Sequence, residues 1–241
     1  MSHAPKAVDP ESIAASRILV VAPHPDDETL GCGGLMAALA AKGRWFHTLF
    51  VTDGGASHRA SPSWPRARLA AQRQAEATEA LARLGLADHP RTFLGLPDAG
   101  MPPAGSVGWE QSMARVRRLL ADFQPDLVLL PWRRDPHRDH RDSWLLVSAA
   151  CEAESLRVDS LEYAIWLDEL GSEEDQPQPG EMAPVTFDIS AGIAAKRHAI
   201  AAHRSQTTGL IDDDPAGFRL TDETIARLTG PTEKFLRPCG R

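Results

Sequence analysis

Hydrophobic runs alternate along this chain with segments in which apolar residues recur every three or four positions. Such alternation is typical of βαβ units, in which helices connect parallel strands. The sequence therefore predicts an α/β fold with a mostly parallel sheet flanked by helices. The predicted strands are Arg17–Pro23, Trp45–Thr52, Arg91–Leu94, Asp126–Pro131, Leu161–Leu167 and Val185–Ile189, and the predicted helices are Leu30–Lys42, Arg66–Leu84, Val107–Phe123, Asp142–Arg157 and Ala191–Arg204.

Two further segments are predicted to be less regular. The stretch Gly171–Pro184 is rich in proline and acidic residues, which is typical of a surface loop. Asp212–Thr229 indicates a C-terminal extension with one more helix. The length of 241 residues fits a single α/β domain.

Composition and charge narrow the classes of partner. The chain is 42% apolar and 24% charged, as in a globular protein, and its net charge of -7 argues against nucleic acid or an anionic membrane. Its three cysteines form no C-x-x-C pair, which argues against a disulfide framework or a thiolate zinc site. The N-terminal segment MSHAPKAVDPESIAASR lacks the apolar core of an export signal. We therefore expect a cytoplasmic protein with a small-molecule substrate.

A cluster of polar residues follows the first predicted strand. His24, Asp26, Asp27 and Glu28 lie where open α/β sheets place their ligands, at the carboxyl end of a strand. Burying each of these groups would cost several kcal/mol unless hydrogen bonds or a cation compensate. A divalent metal is the simplest compensation.

A second cluster, PWRRDPHRDHRD, follows the strand Asp126–Pro131 and contains His137 and His140. If the two strand ends are neighbours, His24, one of the acids and one of these histidines would bind a metal with one position open for water, as in catalytic sites. Hydrolysis would then need a carboxylate to accept a proton from that water. It would also need a histidine to stabilise the oxyanion or to protonate the departing nitrogen. The two clusters supply one spare acid and one spare histidine.

These motifs resemble the signature of the LmbE/PIG-L family of metal-dependent N-acetylglucosaminyl deacetylases. The resemblance rests on PHPDDE at Pro23–Glu28 and on HRDH at His137–His140, and it spans about residues 17–206. It implies a single doubly wound, Rossmann-like domain over residues 1–241, with residues 207–241 as an extension of the core. The other matching segments are VTDG at Val51–Gly54, R-x-x-E at Arg73 and Glu76, LGLPDAG at Leu94–Gly100 and KRHAIAAHRSQ at Lys196–Gln206.

The resemblance also implies an activity, the hydrolysis of the N-acetyl group of an N-acetylglucosamine-type amino sugar or glycoconjugate. By this resemblance His24, Asp27 and His140 would bind the metal. The ion is usually zinc in the family, and Fe²⁺ or another divalent cation also suits these donors. Asp26 would be the general base for metal-bound water. His137 would stabilise the oxyanion or protonate the leaving amine.

Further positions match residues around this centre in the family. Arg73, which shares the apolar stripe of its predicted helix, and Asp98 match positions that contact sugar hydroxyls in relatives. Asp139 would orient His137. The pattern around His203 leaves open a buried core histidine and a residue near the pocket. The residues expected to support the ligands from behind are Glu28, Asp53, Asp139 and His203.

The chain departs from the family pattern at two places. Asp135 stands where some sugar deacetylases of the family have a tyrosine, two positions before the catalytic histidine. The single tyrosine of the chain, Tyr163, lies in a later predicted strand. Arg138 replaces the proline of the commoner H-P-D-H motif and leaves both histidines in place.

Two other functions are alternatives. His24, Asp27 and His140 also fit the facial triad of a non-haem Fe(II) oxygenase, although Asp26 next to Asp27 favours a hydrolase. A catalytically inactive sugar-binding module is the other. The motif GCGG at Gly31–Gly34 is similar to a dinucleotide-binding loop, but it lacks the third glycine.

The group attached to the amino sugar is not determined by these motifs. We expect the loops Ser57–Pro65 and Gly171–Pro184 to recognise it, since loops carry such specificity. The motifs leave the oligomeric state open, a homo-oligomer included.

Overall fold

The computed structural model describes residues 7–240. Residues 1–6, at the start of the N-terminal segment, and residue 241 belong to the predicted domain but lie outside the described part. Most predicted elements are present with small changes at their ends. The strands are β1 (Arg17–Ala22), β2 (Trp45–Thr52), β3 (Arg91–Leu96), β4 (Leu127–Pro131), β5 (Asp159–Tyr163), β6 (Met182–Asp188) and β7 (Thr232–Pro238). The helices are α1 (Asp27–Ala40), α2 (Arg66–Arg83), α3 (Val107–Phe123), α4 (Arg138–Ala153), α5 (Leu167–Leu170), α6 (Ile193–Ile200), α7 (Arg204–Thr207) and α8 (Asp222–Leu228).

The seven strands found among residues 7–240 form one sheet in the order β3-β2-β1-β4-β5-β7-β6. β1 to β5 pair in parallel, whereas β7 is antiparallel to both of its neighbours, β5 and β6. The predicted α/β fold with a mostly parallel sheet is therefore confirmed. Since the chain runs from β1 to β2 on one side and reaches β4 on the other, strand order reverses between β1 and β4. Open α/β sheets bind ligands at such a reversal.

The sheet is buried on both faces. Ile18, Val20 and Ala22 of β1 pack into one hydrophobic cluster with α1, while Leu19 and Val21 pack into a second cluster on the opposite face. Because both faces of a central parallel strand are covered, its sequence is a continuous apolar run without alternation. Polar residues that follow this run are therefore placed at the rim of the core.

The C-terminal region differs from the prediction. Residues 232–238 form β7 inside the sheet, between β5 and β6, so the region expected to extend beyond the core is part of it. Alternation along β7 places Glu233 and Phe235 on the buried side. A charged residue at an inward position conceals the hydrophobic period of this strand, which explains why the pattern missed it.

Glu233 is buried because it has specific partners. It accepts hydrogen bonds from the backbone N–H groups of Gly34 and Leu35 at 2.8 and 2.9 Å, and its Oε1 lies 2.6 Å from Nζ of Lys196. Lys196 also donates to the carbonyl of Leu30 at 2.7 Å. This buried ion pair connects β7, α6 and α1, and a charge left alone there would be strongly destabilising.

Two predicted segments end differently. The predicted strand Leu161–Leu167 ends at Tyr163, and Leu167 begins the short helix α5. The predicted helix Ala191–Arg204 is interrupted after Ile200 and resumes as α7. Helical apolar spacing continues across this interruption, so the hydrophobic period alone did not reveal it.

The glycines of the GCGG motif serve helix packing. A Cβ at Gly31 would overlap the ring of Tyr163, and one at Gly34 would overlap the side chain of Ile189. Glycine at these positions lets α1 approach its neighbours closely, at a cost in helix propensity. The motif therefore has a structural explanation that requires no dinucleotide.

No helix within residues 7–240 combines the length and the apolar character that a membrane crossing requires.

We predict that Gly31→Ala destabilises the protein by about 1–3 kcal/mol, because the added methyl group collides with the Tyr163 ring. Alanine normally stabilises a helix relative to glycine, so a net loss isolates the collision. Urea unfolding measures the change. Gly209→Ala is the matched control, since a Cβ there meets no atom within 4 Å. Equal stability of Gly31→Ala and wild type would contradict the packing argument.

Candidate active site

The two polar clusters meet at the reversal of strand order. β1 and β4 are hydrogen-bonded neighbours, with Val20 paired to Leu129. The segment after β1 leads into α1, and the segment after β4 leads into α4. Because α1 begins at Asp27 and α4 at Arg138, earlier than predicted, the key side chains lie in the first turns of two helices.

Asp27 lies between two histidines. Its Oδ2 is 3.2 Å from Nδ1 of His24 and 3.3 Å from Nε2 of His140. Tetrahedral zinc with bonds of about 2.1 Å separates its ligand atoms by about 3.4 Å. The Asp27 oxygen is therefore close enough to each nitrogen for the two atoms to bind one small cation.

The ring of His140 carries a second indication of a missing partner. Both of its nitrogens are buried and have no hydrogen-bond partner among the described residues. Nδ1 is 3.6 Å from Oδ2 of Asp135, too far for a hydrogen bond. Buried polar atoms without partners are costly, and a cation at Nε2 would remove the cost. The donor chemistry of His24, Asp27 and His140 therefore suits a metal ion, and His24, His137 and His140 also place one ring nitrogen each within 4.8 Å of one another.

The charge of the surrounding side chains also favours a cation. Arg73 is a buried positive charge among them. Five aspartate carboxylates of this region are buried, and three of them flank the ligand histidines from behind. These carboxylates belong to Asp26, Asp27, Asp98, Asp135 and Asp139.

Without a cation, the histidines compensate these charges. Burial alone would lower the pKa of His140, but Asp27 and Asp135 outweigh burial and raise it to about 9. Burial likewise opposes protonation of His24, and hydrogen bonds to Asp139 and Asp27 hold its pKa well above the usual value. Burial would raise the pKa of Asp27, whereas His140 keeps it well below the usual value. The carboxylates therefore favour positive charge at His24 and His140, which a bound cation would equally supply.

A second group of possible ligands surrounds the other nitrogen of His24. Its Nε2 is 3.2 Å from Oδ2 of Asp139 and 3.5 Å from Oδ1 of Asp98. Metal-binding histidines commonly direct their second nitrogen at a carboxylate, which fixes the orientation of the ring. Oδ2 of Asp139 also accepts a hydrogen bond from the backbone N–H of Ala99 at 2.7 Å. We therefore assign these two carboxylates to the support of His24.

This arrangement changes the expected role of Asp139. Its carboxylate contacts His24, and its backbone N–H donates to Nδ1 of His137 at 3.2 Å. His137 is the N-cap of α4, so the helix terminus positions it, and the carboxylate expected to orient it points elsewhere. Burial and the nearby His24 lower the pKa of His137 to about 4. Its imidazole is therefore neutral near pH 7.

Asp26 has an unusual backbone conformation next to these groups. Its φ of 157° and ψ of -25° lie outside the regions that non-glycine residues populate, at a cost of about 1–3 kcal/mol. The conformation is held by a hydrogen bond from its N–H to Oε2 of Glu28 at 3.1 Å and by one from the N–H of Leu30 to its carbonyl at 2.9 Å. Backbone strain held in this way is typical of functional positions.

Arg73 has a partner that the sequence did not predict. Its guanidinium lies 2.9 Å from Oδ2 of Asp26 and donates to the carbonyls of Gly54 at 2.9 Å and Pro25 at 3.2 Å. Arg73 lines the cavity, but most of its donors are engaged by the protein. Burial raises the pKa of Asp26 to about 6, and Arg73 limits this rise.

The remaining predicted residues lie farther from the ligands. Glu28 is fully buried, and burial raises its pKa to about 8. His203 is buried behind it, with Nε2 3.3 Å from Oγ1 of Thr29, and it does not line the cavity described below. Asp53 forms an ion pair with Arg66 at 2.7 Å and accepts a hydrogen bond from the N–H of Asp98 at 3.2 Å. It contacts the site through the backbone of Asp98 and of Gly55, whose N–H donates to it at 2.9 Å.

A cavity of about 560 Å³ opens onto these groups, within the range of small-molecule sites. The loop Ser57–Pro65 contributes to its wall as expected, through Ser57 and Arg59. The loop Gly171–Pro184 does not line it. Arg134 pairs with Glu181 at 2.5 Å and anchors that loop to the segment after β4. In its place, the segment 214–218 from the supposed C-terminal extension forms the wall.

Asp135 is a site residue whose role the sequence did not reveal. It is fully buried, Oδ1 accepts a hydrogen bond from the N–H of His137 at 2.9 Å, and Oδ2 faces His140. An acid two positions before the first histidine of H-x-x-H was the available signal. Tyr163 is not a substitute for the family's tyrosine, since its hydroxyl donates to the carbonyl of Val21 at 2.6 Å inside the core.

Comparison with known proteins gives consistent matches. The family model PIG-L, described as GlcNAc-PI de-N-acetylase, matches residues 19–151. The chain is 29% identical to the 1D-myo-inositol 2-acetamido-2-deoxy-alpha-D-glucopyranoside deacetylase of Rhodococcus opacus, over 80% of this chain and 82% of that protein. It is 30% identical to the 2'-N-acetylparomamine deacetylase of Streptomyces fradiae, over 82% of this chain and 76% of that protein.

A solved structure agrees in fold. The N,N'-diacetylchitobiose deacetylase from Pyrococcus horikoshii superposes with a TM-score of 0.65 at 22% identity, covering 93% of this chain and 85% of that chain. Identity this low supports the likeness of fold alone.

We predict that Asp27→Asn loses bound zinc, because an amide is a poor replacement for the carboxylate between the two histidines. Asp98→Asn, the same change in the same cavity, retains one zinc ion per chain with weaker affinity, since its carboxylate supports a ligand from behind. Elemental analysis after zinc loading and dialysis measures both. Zinc retained by Asp27→Asn and lost by Asp98→Asn would instead place the ion at Nε2 of His24.

Proposed function

This chain belongs to the PIG-L family, and from that membership and the site geometry we propose that it removes the N-acetyl group from an N-acetylglucosamine-type amino sugar. In this reaction water adds to the acyl carbon, the C–N bond of the amide breaks, and the products are acetate and a free amine. The names of both relatives describe deacetylases of amino-sugar conjugates, which supports this reaction class.

The observation that carries the proposal is the carboxylate of Asp26, which lines the same cavity as His24 and Asp27 without being one of the matched ligands. Hydrolysis needs a base next to the attacking water. An Fe(II) oxygenase can use the same two histidines and carboxylate but has no comparable need for a second acid at this position. The extra carboxylate therefore favours hydrolysis.

The residues that would hold the metal are His24, Asp27 and His140. Their donor atoms would be Nδ1 of His24, Oδ2 of Asp27 and Nε2 of His140. Two nitrogens and one carboxylate oxygen are the donors of many catalytic zinc sites. Zinc bound there would supply Lewis acidity, which acidifies water and polarises the amide carbonyl.

Asp26 accepts the proton that the attacking water releases, and it returns a proton to the departing nitrogen. Proton balance is thereby maintained, since the amine gains the hydrogen that the water loses. Arg73 acts through Asp26, because its guanidinium fixes Oδ2 and stabilises the ionised form that a base requires. Arg73 is therefore a positioning residue in this scheme.

His137 faces the cavity as a hydrogen-bond donor. Its Nδ1 accepts a hydrogen bond from the N–H of Asp139, so the proton of the neutral ring is on Nε2. An Nε2–H group in the cavity can donate to the amide oxygen as negative charge develops there. Asp135 strengthens this orientation, since its carboxylate accepts from the backbone N–H of His137.

We predict that Asp26→Asn lowers kcat for release of acetate from N-acetylglucosaminides by about 10²–10⁴-fold, the usual contribution of a general base. Zinc content of this variant should stay near that of the wild type, because Asn keeps the size of the side chain, whereas loss of the ion pair with buried Arg73 should lower its thermal stability. Acetate release from zinc-loaded protein measures the rate.

Asp122→Asn, an identical change on the exposed surface of α3, is the control and should keep wild-type turnover. Turnover by Asp26→Asn within a few-fold of the control would refute the assignment of the base. Absence of acetate release by the zinc-loaded wild type from a broad panel of N-acetylated amino sugars would refute the proposed reaction.

A further inference from the structure

One side of the active-site cavity is apolar. Four large side chains line it, and we call them the apolar shelf: Leu30, Trp166, Leu170 and Phe218. Leu170 is 67% exposed and Phe218 42% exposed, although each lies beside other apolar residues of the same cavity. An amino sugar is covered with hydroxyl groups, and its acetyl group ends in one methyl. Such a substrate would leave Leu170 and Phe218 in contact with water.

The shelf is held in place by hydrogen bonds of the surrounding backbone. The N–H of Phe218 donates to the carbonyl of Ser57 at 2.7 Å, and Asp214 accepts from the N–H of Ala60 at 2.9 Å. The rings of Phe218 and Trp166 meet edge to face, with centroids 5.7 Å apart. A surface that is already ordered loses little entropy when a ligand binds to it.

The shelf is also connected to the reacting groups. The N–H of Trp166 points at Oδ2 of Asp135 at 3.4 Å, and the same carboxylate faces His140. Leu30 lies in the first turns of α1, four residues after Asp26. Because the shelf and the site share one cavity, a substrate bound at the site can also cover the shelf.

We propose that the substrate is an amphipathic amino-sugar conjugate whose hydrocarbon group lies on the apolar shelf while its N-acyl amino sugar occupies the polar side. This inference rests on the proposed deacetylation and specifies the class of its substrate. The hydrocarbon can be attached in two ways, as a longer N-acyl chain or as a substituent on the sugar. Both attachments present the same chemistry to the shelf.

Two substrate series test the proposal with zinc-loaded protein. The first varies the substituent of an N-acetylglucosaminide from methyl through butyl to octyl. The second varies the acyl chain of a methyl glucosaminide from acetyl through butyryl to octanoyl. Since each buried methylene is worth roughly threefold in binding, kcat/KM should rise at least about tenfold along one of the series. The series that rises identifies the point of attachment.

The double variant Leu170→Ser/Phe218→Ser tests whether the shelf causes that rise. Both residues are partly exposed, so the variant should fold, and thermal unfolding checks this. The ratio of kcat/KM between the longest and shortest members of the rising series should fall at least about fivefold. Val107→Ser, which removes an exposed apolar side chain outside the cavity, is the control and should leave the ratio unchanged.

The outcomes separate this inference from the proposed function. Deacetylation of all members at equal kcat/KM would overturn the inference and leave deacetylation intact. If no member is deacetylated, the proposed function fails. The affinities of octyl and methyl N-acetylglucosaminides, measured by calorimetry, then test whether the shelf binds a hydrocarbon group. Tighter binding of the octyl compound, lost in the double variant, would support the shelf, and equal binding would overturn it.

Discussion

The site depends on a single carboxylate oxygen, Oδ2 of Asp27, which holds two histidines from different parts of the chain within 3.3 Å. His24 follows β1 and His140 lies in the first turn of α4, the helix after β4. The parallel pairing of β1 with β4 makes those strands neighbours. The reversal of strand order at this pair opens the crevice in which α/β sheets bind ligands. The fold thus brings the two histidines to the same crevice, and Asp27 lies between them.

Concentrating so many acids at the rim of a core is unfavourable unless each has a partner. Asp98 and Asp139 face His24, Asp135 faces His140 and Asp26 faces Arg73. Each of these carboxylates holds a group that the proposed reaction uses, so the partners that make burial tolerable also orient the site. The unpartnered nitrogens of His140 and the strained backbone of Asp26 are two of the local costs that remain. Both are explained by a bound cation and a base beside it.

Much of this arrangement could be predicted from the sequence. The buried strands β1 and β4 are continuous apolar runs, and the polar clusters that follow them predicted a shared site. The hydrophobic pattern could not reveal β7, because Glu233 occupies one of its inward positions. It also could not reveal the partners of Arg73 and Asp139, because these depend on the directions of side chains. The wall formed by residues 214–218 was also missed. Its contact with Ser57 joins segments about 160 residues apart, and short-range pattern carries no information on such contacts.

The most direct test of this account is a crystal structure of the zinc-loaded protein with anomalous diffraction measured at the zinc edge. The account predicts one strong peak at about 2.0–2.2 Å from Nδ1 of His24, Oδ2 of Asp27 and Nε2 of His140, with the carboxylate of Asp26 close by but not coordinated. A peak bound instead by Nε2 of His24 with Asp98 and Asp139, or zinc-loaded crystals without a peak in this cavity, would contradict it.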